Sequence, residues 1–210
     1  MVDRLTWHPP DIPEKSHSVG DVRGALYGSR LYEQPEHREW AASVLQFLEA
    51  PGPVALEIGF DHGMRLLDHA HRWPEIRWVG VEIRKARVEA AAAHAPSNAL
   101  LLRADARTLL ANLIPEGRLE FVYLLFPTPS VREKHLLVTP SFVRSLERAL
   151  TPTGRILITT DVPGLADWME KQFTGWPEAD GVPMGPVLSR RERVCQRDGL
   201  PVWRTVRRRP

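Results

Sequence analysis

The chain has 210 residues, of which 43% are hydrophobic and 26% charged, and its formal net charge is +2. This is the size and composition of one globular α/β domain with appendages, and it excludes a wholly disordered chain, a collagen and a coiled coil. No run approaches the roughly 20 apolar residues of a membrane span, and the polar start lacks the apolar centre of a secretory signal. The single cysteine, Cys195, allows neither an internal disulfide nor a cysteine-based zinc site. We therefore expect a cytoplasmic protein that does not bind membranes.

The chain divides into an N-terminal arm and one domain. Residues 1–35 are rich in proline, glycine, histidine and charge without sustained periodicity, which is typical of an irregular arm. Apolar residues at helical spacing then predict a helix from Pro35, which the sequence Pro51-Gly52-Pro53 ends. Residues 36–210 show no repeat and no second domain, so we assign them to a single unit.

Five short apolar runs alternate with segments of helical composition. The runs are residues 54–58, 76–81, 99–102, 121–126 and 155–160, and the helical segments are residues 64–73, 85–94, 106–113 and 140–150. Runs without internal alternation predict strands covered on both faces, and hence a parallel sheet with helices on either side. Residues 187–206 indicate two further strands around Asp198-Gly199, a pair that favours a hairpin turn. The sequence thus predicts a Rossmann-like α/β fold with a mostly parallel, seven-stranded sheet and a C-terminal antiparallel hairpin.

The ends of the first two predicted strands carry the residues of a nucleoside-binding site. The first strand ends near Glu57 and passes into a loop with Gly59 and Gly63, and the second ends at Glu82, 23 residues after Gly59. A spacing of about 20 residues places a carboxylate on the ribose hydroxyls in nucleotide-binding βαβ units. Asp61 in the loop would repel a pyrophosphate but suits the sulfonium and ammonium groups of S-adenosylmethionine (SAM). We therefore interpret the site as one for SAM rather than for a dinucleotide.

The third and fourth strand ends add two features to this edge of the sheet. Asp105 follows the third strand, and two roles for it stay open: an N-cap of the helix that begins at Ala106, or a partner of the adenine amino group. The fourth strand runs into Pro127 and Pro129, which hold the residues before them extended. The loop around Thr128 is therefore predicted to be a rigid wall of the site.

The histidines near the donor loop do not predict a metal site. His69 and His71 fall on different faces of the predicted helix and cannot converge on one ion. We interpret His62, His69 and His71 as surface residues and expect no bound metal.

Six short motifs, in this order, resemble the TrmB-type tRNA (guanine-N7)-methyltransferases, a family of class I SAM-dependent enzymes. The motifs are LEIGFDHG, GVEIRKARVE, ADA, the FPTP loop, TTD, and Ser189-x-x-Glu192 leading to Trp203, and together they cover residues 54–206. The glycine loop and its acid are shared by class I methyltransferases in general. The FPTP loop and the C-terminal motif are more specific to this family.

The resemblance implies a role for each matched position, with SAM as the cofactor and tRNA as the partner. The donor-binding positions fall on Glu57, Gly59, Asp61, Gly63, Glu82, Ile83, Asp105 and Ala106, and the acceptor-side positions fall on Thr128, Asp161, Ser189 and Glu192. Because guanine N7 is a neutral nucleophile with a free lone pair, such an enzyme needs no strong base. It acts by aligning N7 with the methyl group of the donor.

Departures from the family pattern on the acceptor side leave three hypotheses open. Thr128 and Ser130 stand where the family has aspartate and tryptophan, and residues 131–137 form a shorter and less basic stretch than the family has. The chain is either a tRNA guanine-N7 methyltransferase, a paralogue that methylates a small heteroaromatic nitrogen compound, or a non-catalytic protein that binds SAM or RNA.

The positive charge of the chain is concentrated at its C-terminus. Residues 189–210 hold eight arginines against Glu192 and Asp198, a local charge of +6, so residues 1–188 carry −4. A basic segment on a mildly acidic body suits contact with the phosphates of tRNA, and a solvated tail has the same composition. We expect the arginine-rich segment to contact tRNA if tRNA is the acceptor.

Overall fold

The computed structural model describes residues 35–132 and 135–210. Its helices are α1 (Pro35–Glu49), α2 (Met64–Arg72), α3 (Lys85–Ala92), α4 (Ala106–Asn112), α5 (Pro140–Ala149), α6 (Pro163–Gln172) and α7 (Arg190–Asp198), and its strands are β1 (Val54–Ile58), β2 (Arg77–Glu82), β3 (Ala99–Arg103), β4 (Leu119–Leu125), β5 (Leu150–Thr160) and β6 (Trp203–Arg208). The five predicted parallel strands and the helices between them are confirmed, and the largest difference is that β5 begins at Leu150. An irregular arm was predicted for residues 1–35, and residues 1–34 of it lie outside the described part of the chain.

The strands form one sheet in the order β3-β2-β1-β4-β5-β6. Strands β1 to β5 are parallel to their neighbours, and β6 is antiparallel to β5. The chain moves outward from β1 to β3 and then returns to the other side of β1 with β4, where the register sets Ile58 beside Leu124. The strand order therefore reverses between β1 and β4, and open α/β sheets bind their ligands beyond the carboxyl ends of strands at such a point.

The central strands are buried on both faces, as their continuous apolar runs predict. All five residues of β1 are buried. Helices α1, α4 and α5 contribute Leu48, Leu109 and Leu146 to one core, and α2 and α3 contribute Leu66 and Val88 to another. Burial of one such side chain stabilises the fold by about 1.5–3 kcal/mol, so the apolar faces hold the helices on the sheet.

Within the described part of the chain, no helix combines the length and the hydropathy that a membrane span requires.

The C-terminal segment differs from its prediction. An antiparallel pair is present at the C-terminus, but β6 pairs with β5, and the residues predicted as the first hairpin strand form α7. Ser189 caps this helix by accepting a hydrogen bond from Glu192 N at 3.2 Å, and Gly199, with a φ of 63°, ends it. A glycine in the left-handed region ends a helix as readily as it forms a hairpin turn, so the Asp198-Gly199 pair suited both structures. The described residues form six strands in place of the predicted seven.

Residues 177–179 lie along the outer edge of β6 without forming a strand of their own. Ala179 N donates to Val206 O, and Arg208 N donates to Pro177 O, each at 3.0 Å. Proline has no N–H to donate, which limits the pairing to a single bridge. The segment nevertheless covers backbone groups that an open sheet edge would leave unpaired.

The connector between α6 and α7 is anchored on the sheet and on α2. Tyr123 Oη donates to Pro183 O at 2.8 Å, and His69 Nε2 accepts a hydrogen bond from Gly185 N at 3.0 Å. His69 is fully buried, so its interpretation as a surface residue was wrong. Burial, together with the positive charge of the nearby Arg65, lowers the pKa of His69 from 6.5 to about 3. The imidazole is therefore neutral at pH 7 and serves as an acceptor for the connector.

The low pKa of His69 makes the stability of the fold depend on pH. Between pH 6.5 and about 3 the unfolded chain binds a proton at His69 that the folded chain does not bind, so stability is lost as the pH falls through this window. We expect this group to contribute up to about 1.4 kcal/mol per pH unit to the free energy of unfolding. The variant H69Q, which keeps an acceptor for Gly185 N, removes that part of the slope between pH 6.5 and 5 in denaturant titrations. The matched variant H71Q, on the exposed side of α2, keeps it; equal slopes in wild type and H69Q would contradict the assignment.

Candidate functional site

A cavity of about 920 Å³ lies beyond the carboxyl ends of β1, β2 and β4. Its walls are the loop after β1, the residues that follow β2 and β3, the proline loop after β4 and the start of α7. Nine of the twelve predicted site residues line it, and Gly63 adjoins them as the N-cap of α2; the nine are Glu57, Gly59, Asp61, Glu82, Ile83, Asp105, Ala106, Thr128 and Ser189. The position at the reversal of strand order is the one that the fold predicts for a ligand.

The loop after β1 owes its shape to left-handed backbone conformations. Gly59, with a φ of 74°, donates its N–H to Val81 O at 2.8 Å and thereby ties the loop to β2. Gly63 has a φ of 76°, and a Cβ atom there would lie 2.9 Å from the Cβ of Ala91. Asp61 adopts a φ of 56°, a region that aspartate tolerates better than most residues. The loop therefore turns sharply enough to leave its backbone open to the cavity.

Glu57 forms a buried ion pair at the end of β1. Its Oε2 lies 3.2 Å from Arg65 Nη1, and both side chains are only 4% exposed. The guanidinium of Arg65 also lies over the ring of Tyr123, 4.5 Å from its centroid. Burial raises the pKa of the Glu57 carboxyl, and the charge and hydrogen bond of Arg65 offset only part of that effect. The carboxylate is thus fixed in direction and depends on its arginine for stability.

Arg87 joins the two acids on the other side of the loop. Its Nη1 forms an ion pair with Asp61 and lies 3.7 Å from Glu82 Oε2. The other oxygen of Glu82 accepts a hydrogen bond from Arg84 N at 3.0 Å. Arg87 offsets the negative charge of Asp61 on which the sequence-based preference for a sulfonium compound rested. The charge of this loop alone therefore does not select the cofactor.

Of the two roles that the sequence left open for Asp105, the structure shows the N-cap, and the contact with an adenine amino group stays a prediction. Its carboxylate caps α4 by accepting a hydrogen bond from Arg107 N at 2.8 Å, and it also lines the cavity. Burial alone would raise the pKa of Asp105, but the hydrogen bonds and charge of Arg107 outweigh it and lower that pKa below its ordinary value. Beside it, Ala106 is buried, whereas the side chain of Ile83 is 66% exposed at the cavity. An exposed isoleucine next to two carboxylates offers an apolar face for a flat ring.

The proline loop brings Thr128 to the cavity. Phe126 N donates to Thr159 O at 2.7 Å, and the φ of Phe126 is 49°, so the chain leaves β4 through a strained left-handed residue. Thr128 follows and is exposed at the cavity wall, while Pro127 and Pro129 are buried. Ser189 reaches the same cavity from the start of α7, although its hydroxyl already caps that helix.

Two predicted acceptor-side residues lie behind the cavity wall rather than in it. Asp161 is only 3% exposed and forms an ion pair with Arg191, a residue that does line the cavity. Glu192 forms an ion pair with Arg204 on β6. The structure therefore brings Thr128 and Ser189 together with the donor-side residues, and it separates Asp161 and Glu192 from them by arginines.

Arginines are the site residues that the sequence reasoning missed. They are Arg65, Arg87, Arg107, Arg191 and Arg204, each bound to a predicted carboxylate. Arg107 follows its partner by two residues, a spacing visible in the sequence, whereas Arg191 and Asp161 are thirty positions apart. Among residues 35–132 and 135–210, no three histidine, cysteine, aspartate or glutamate side chains are grouped to hold a metal ion.

Comparison with known proteins assigns this architecture to a family. Residues 51–203 match the family model Methyltransf_4, described as "Putative methyltransferase". A tRNA (guanine-N(7)-)-methyltransferase of Azorhizobium caulinodans is 36% identical to the chain over 76% of this chain and 80% of that protein. The chain belongs to the tRNA (guanine-N7)-methyltransferase family. A relative of the same name from Chlorobium phaeobacteroides is 33% identical over 60% of this chain and 65% of its own length.

Solved structures support the fold without specifying an acceptor. The 16S rRNA methyltransferase KamB aligns with 84% of this chain and 94% of its own at a TM-score of 0.58 and 20% identity. A precorrin-6y C5,15-methyltransferase from Geobacter metallireducens aligns over 82% of this chain and 88% of its own chain, at a TM-score of 0.54 and 15% sequence identity. The two names specify acceptors of different kinds, so the shared class I methyltransferase fold does not select one.

The buried Glu57–Arg65 pair gives a test of how the site is held together. The variant R65M keeps the volume of the side chain but leaves Glu57 buried without a partner, and we expect the free energy of unfolding at pH 7 to fall by about 3–5 kcal/mol. Because Glu57 can then take up a proton, the deficit becomes smaller as the pH falls. R72M removes the half-exposed pair of Arg72 with Asp68 on the same helix and costs less than about 1 kcal/mol. Equal losses in R65M and R72M, measured by denaturant unfolding, would argue against a buried pair.

Proposed function

We propose that this chain methylates the N7 atom of a guanine in tRNA, with SAM as the methyl donor. The observation that carries the proposal is that the family match, residues 51–203, contains every segment that lines the cavity. The sequence similarity to tRNA (guanine-N(7)-)-methyltransferases is therefore a similarity of the candidate site and not only of the sheet beneath it. Family membership, rather than fold, supports tRNA as the acceptor.

The chemistry of the donor side of the cavity supports SAM as the methyl donor. Glu82 offers a carboxylate at the end of β2 for ribose hydroxyls, and the exposed side chain of Ile83 offers a surface for the adenine ring. Glu57 and the open backbone at Gly59 suit the amino-acid part of the donor. When bound, SAM supplies a methyl carbon that bonds to guanine N7, while the electron pair of the broken carbon–sulfur bond stays on sulfur and no proton moves.

The acceptor side needs to hold a base rather than to remove a proton. The wall around Thr128 is rigid because its flanking prolines are buried, and Ser189 is fixed by capping α7. Fixed walls of this kind lower the activation barrier by aligning the nucleophile with the methyl group. In well-oriented reactions such alignment lowers the barrier by up to about 7–11 kcal/mol. A base in tRNA must leave its stack to enter, at a cost of a few kcal/mol that contacts in the cavity would offset.

Only part of the arginine-rich segment is available to tRNA. Five of its eight arginines bind groups of the protein itself, namely Arg191, Arg197, Arg204, Arg207 and Arg209. Arg190 and Arg193 instead line the cavity, where the guanidinium of Arg193 lies 3.7–3.8 Å from the sulfur of Met64. The cavity lining as a whole has seven arginines against four carboxylates. This excess of positive charge around the cavity supports a polyanionic acceptor, and we assign the phosphate contacts to Arg190 and Arg193.

A direct assay tests the proposed reaction. Purified protein is incubated with unmodified tRNA and isotope-labelled SAM, and the nucleosides are analysed by mass spectrometry after digestion; we expect labelled 7-methylguanosine. The variant E82Q weakens SAM binding at least about tenfold in calorimetry because ribose hydrogen bonds to the carboxylate are lost. E89Q, which changes an exposed acid on α3, leaves it unchanged. Binding of SAM without methyl transfer to tRNA would refute the proposal and would leave two alternatives, a methyltransferase with a small-molecule acceptor and a non-catalytic binding protein.

The phosphate contacts are tested by charge reversal. We expect R190E and R193E each to raise the KM for tRNA without changing the affinity for SAM. Each variant should also reduce the slope of log tRNA affinity against log salt concentration by about one, because one phosphate contact is lost. R208E is the matched control, because Arg208 is an exposed arginine of the same segment that does not line the cavity and that pairs with Arg155, five residues before the carboxyl end of β5. The same salt dependence in R190E, R193E and R208E would show that contact is spread over the segment.

A further inference from the structure

The side chain of Arg191 lies between Asp161 and the cavity. Its Nε donates to Asp161 Oδ2 at 3.1 Å, and its Nη2 binds the same oxygen. The Asp161 side chain is 2% exposed, whereas that of Arg191 is 31% exposed and lines the cavity. A ligand in the cavity therefore meets the guanidinium and not the carboxylate behind it.

Glu192 does not replace Asp161 as a carboxylate of the cavity. Its side chain binds Arg204, and its N–H belongs to the cap that Ser189 forms at the start of α7. The cavity wall at α7 is formed instead by Leu188, Ser189, three arginines and Val194. On this side the cavity offers hydrogen-bond donors, while the two carboxylates hold the arginines in place.

We infer that Arg191 contacts the acceptor base by donating to guanine O6, and that Asp161 is the positioning residue of Arg191. This inference rests on the proposed function. A guanidinium has five N–H donors and no acceptor, and the bonds to Asp161 use only two of them. Guanine N1 and the exocyclic amino group are donors themselves and cannot face it. Of the acceptors on the edge next to N7, the N7 atom must stay free for the methyl group, so O6 is the remaining partner.

This contact would also set the choice between purines. Adenine carries an amino group at the position of O6, so a donor would meet a donor at Arg191 and the base would be rejected.

The pairing with Asp161 has a second consequence for the reaction. The base gains a positive charge when N7 is methylated, and a guanidinium neutralised by a buried carboxylate repels that charge far less than an unpaired one. Arg191 thus selects guanine without opposing its methylation.

Base analogues at the methylated position of tRNA distinguish this contact from a readout by carboxylates. Inosine keeps O6 and lacks only the exocyclic amino group, whereas 2-aminopurine keeps the amino group and lacks O6. We expect inosine to be methylated with a kcat/KM within about threefold of guanosine, and 2-aminopurine to lose about 10- to 100-fold. If Asp161 or Glu192 displaced its arginine and accepted hydrogen bonds from N1 and the amino group, inosine would lose about tenfold or more, and the inference would be overturned.

Variants of the pair connect the discrimination to Arg191. We expect R191M to lower kcat/KM on guanosine and to remove the preference for guanosine over 2-aminopurine, and R191K to restore part of it. D161N should raise KM and reduce the same preference, because it loosens Arg191 without touching the base. R197M, in the last turn of α7, is the control and changes neither value. SAM affinity and melting temperature, measured for every variant, separate a lost contact from a lost fold.

Two failures remain distinguishable in this design. Absence of methyl transfer to guanosine by the wild-type chain would refute the proposed function and the inference together. Normal transfer to guanosine, with an unchanged preference over 2-aminopurine in R191M, would refute the role of Arg191 alone.

Discussion

The site depends on the pairing of each of its carboxylates with an arginine. Six acids stand at or near the carboxyl ends of the strands or at the start of α7, and arginines from neighbouring elements bind all six: Glu57, Asp61, Glu82, Asp105, Asp161 and Glu192. An unpaired buried carboxylate would cost several kcal/mol or would take up a proton. The pairing gives each of these groups an opposite charge and fixes the direction in which each one points. It also links the loop after β1 with α3 through Arg87, and α7 with the sheet through Arg191 and Arg204, so the cavity walls are joined by charge as well as by packing.

The pairing changes what the cavity attracts. Four acids on their own would make the site strongly negative, which suits a cationic donor but repels a nucleic acid. With the seven arginines that line the same cavity, the lining is positive overall, and a polyanionic acceptor can approach it. Under the proposed function the local carboxylates can still accept hydrogen bonds from the donor, because a fixed ion pair keeps free oxygen lone pairs on its carboxylate. The cavity thus combines acids close to the sheet with basic residues at α7.

Much of the fold could be predicted from the sequence because its signals are local. The bounds of β1 match the predicted run of residues 54–58 because the apolar residues are adjacent in the chain. The start of α5 is local as well: the Thr139 side chain accepts a hydrogen bond from Phe142 N, and Pro140 is the first residue of the helix. The C-terminal hairpin was predicted wrongly because Asp198-Gly199 fits a helix end as well as a turn, and the choice depends on the pairing of β6 with β5, far away in sequence. Burial of His69 likewise depends on Gly185, more than one hundred positions later. The positions of the candidate site residues followed from strand ends, whereas their arginine partners depend on tertiary contacts that no short motif encodes.

Thr128 is consistent with an acceptor side that offers donors. An aspartate at this exposed position would add a fifth carboxylate to the four that line the cavity and would make the lining less positive. A threonine hydroxyl can donate or accept a hydrogen bond without competing for a guanidinium. The neutral residue in the proline loop is thus compatible with the inferred arrangement, in which Asp161 remains behind the wall and would act through Arg191. If the proposed function holds, the departures from the family pattern on this side change the chemistry that faces the base, while the proposed donor side keeps its residues at the sheet edge.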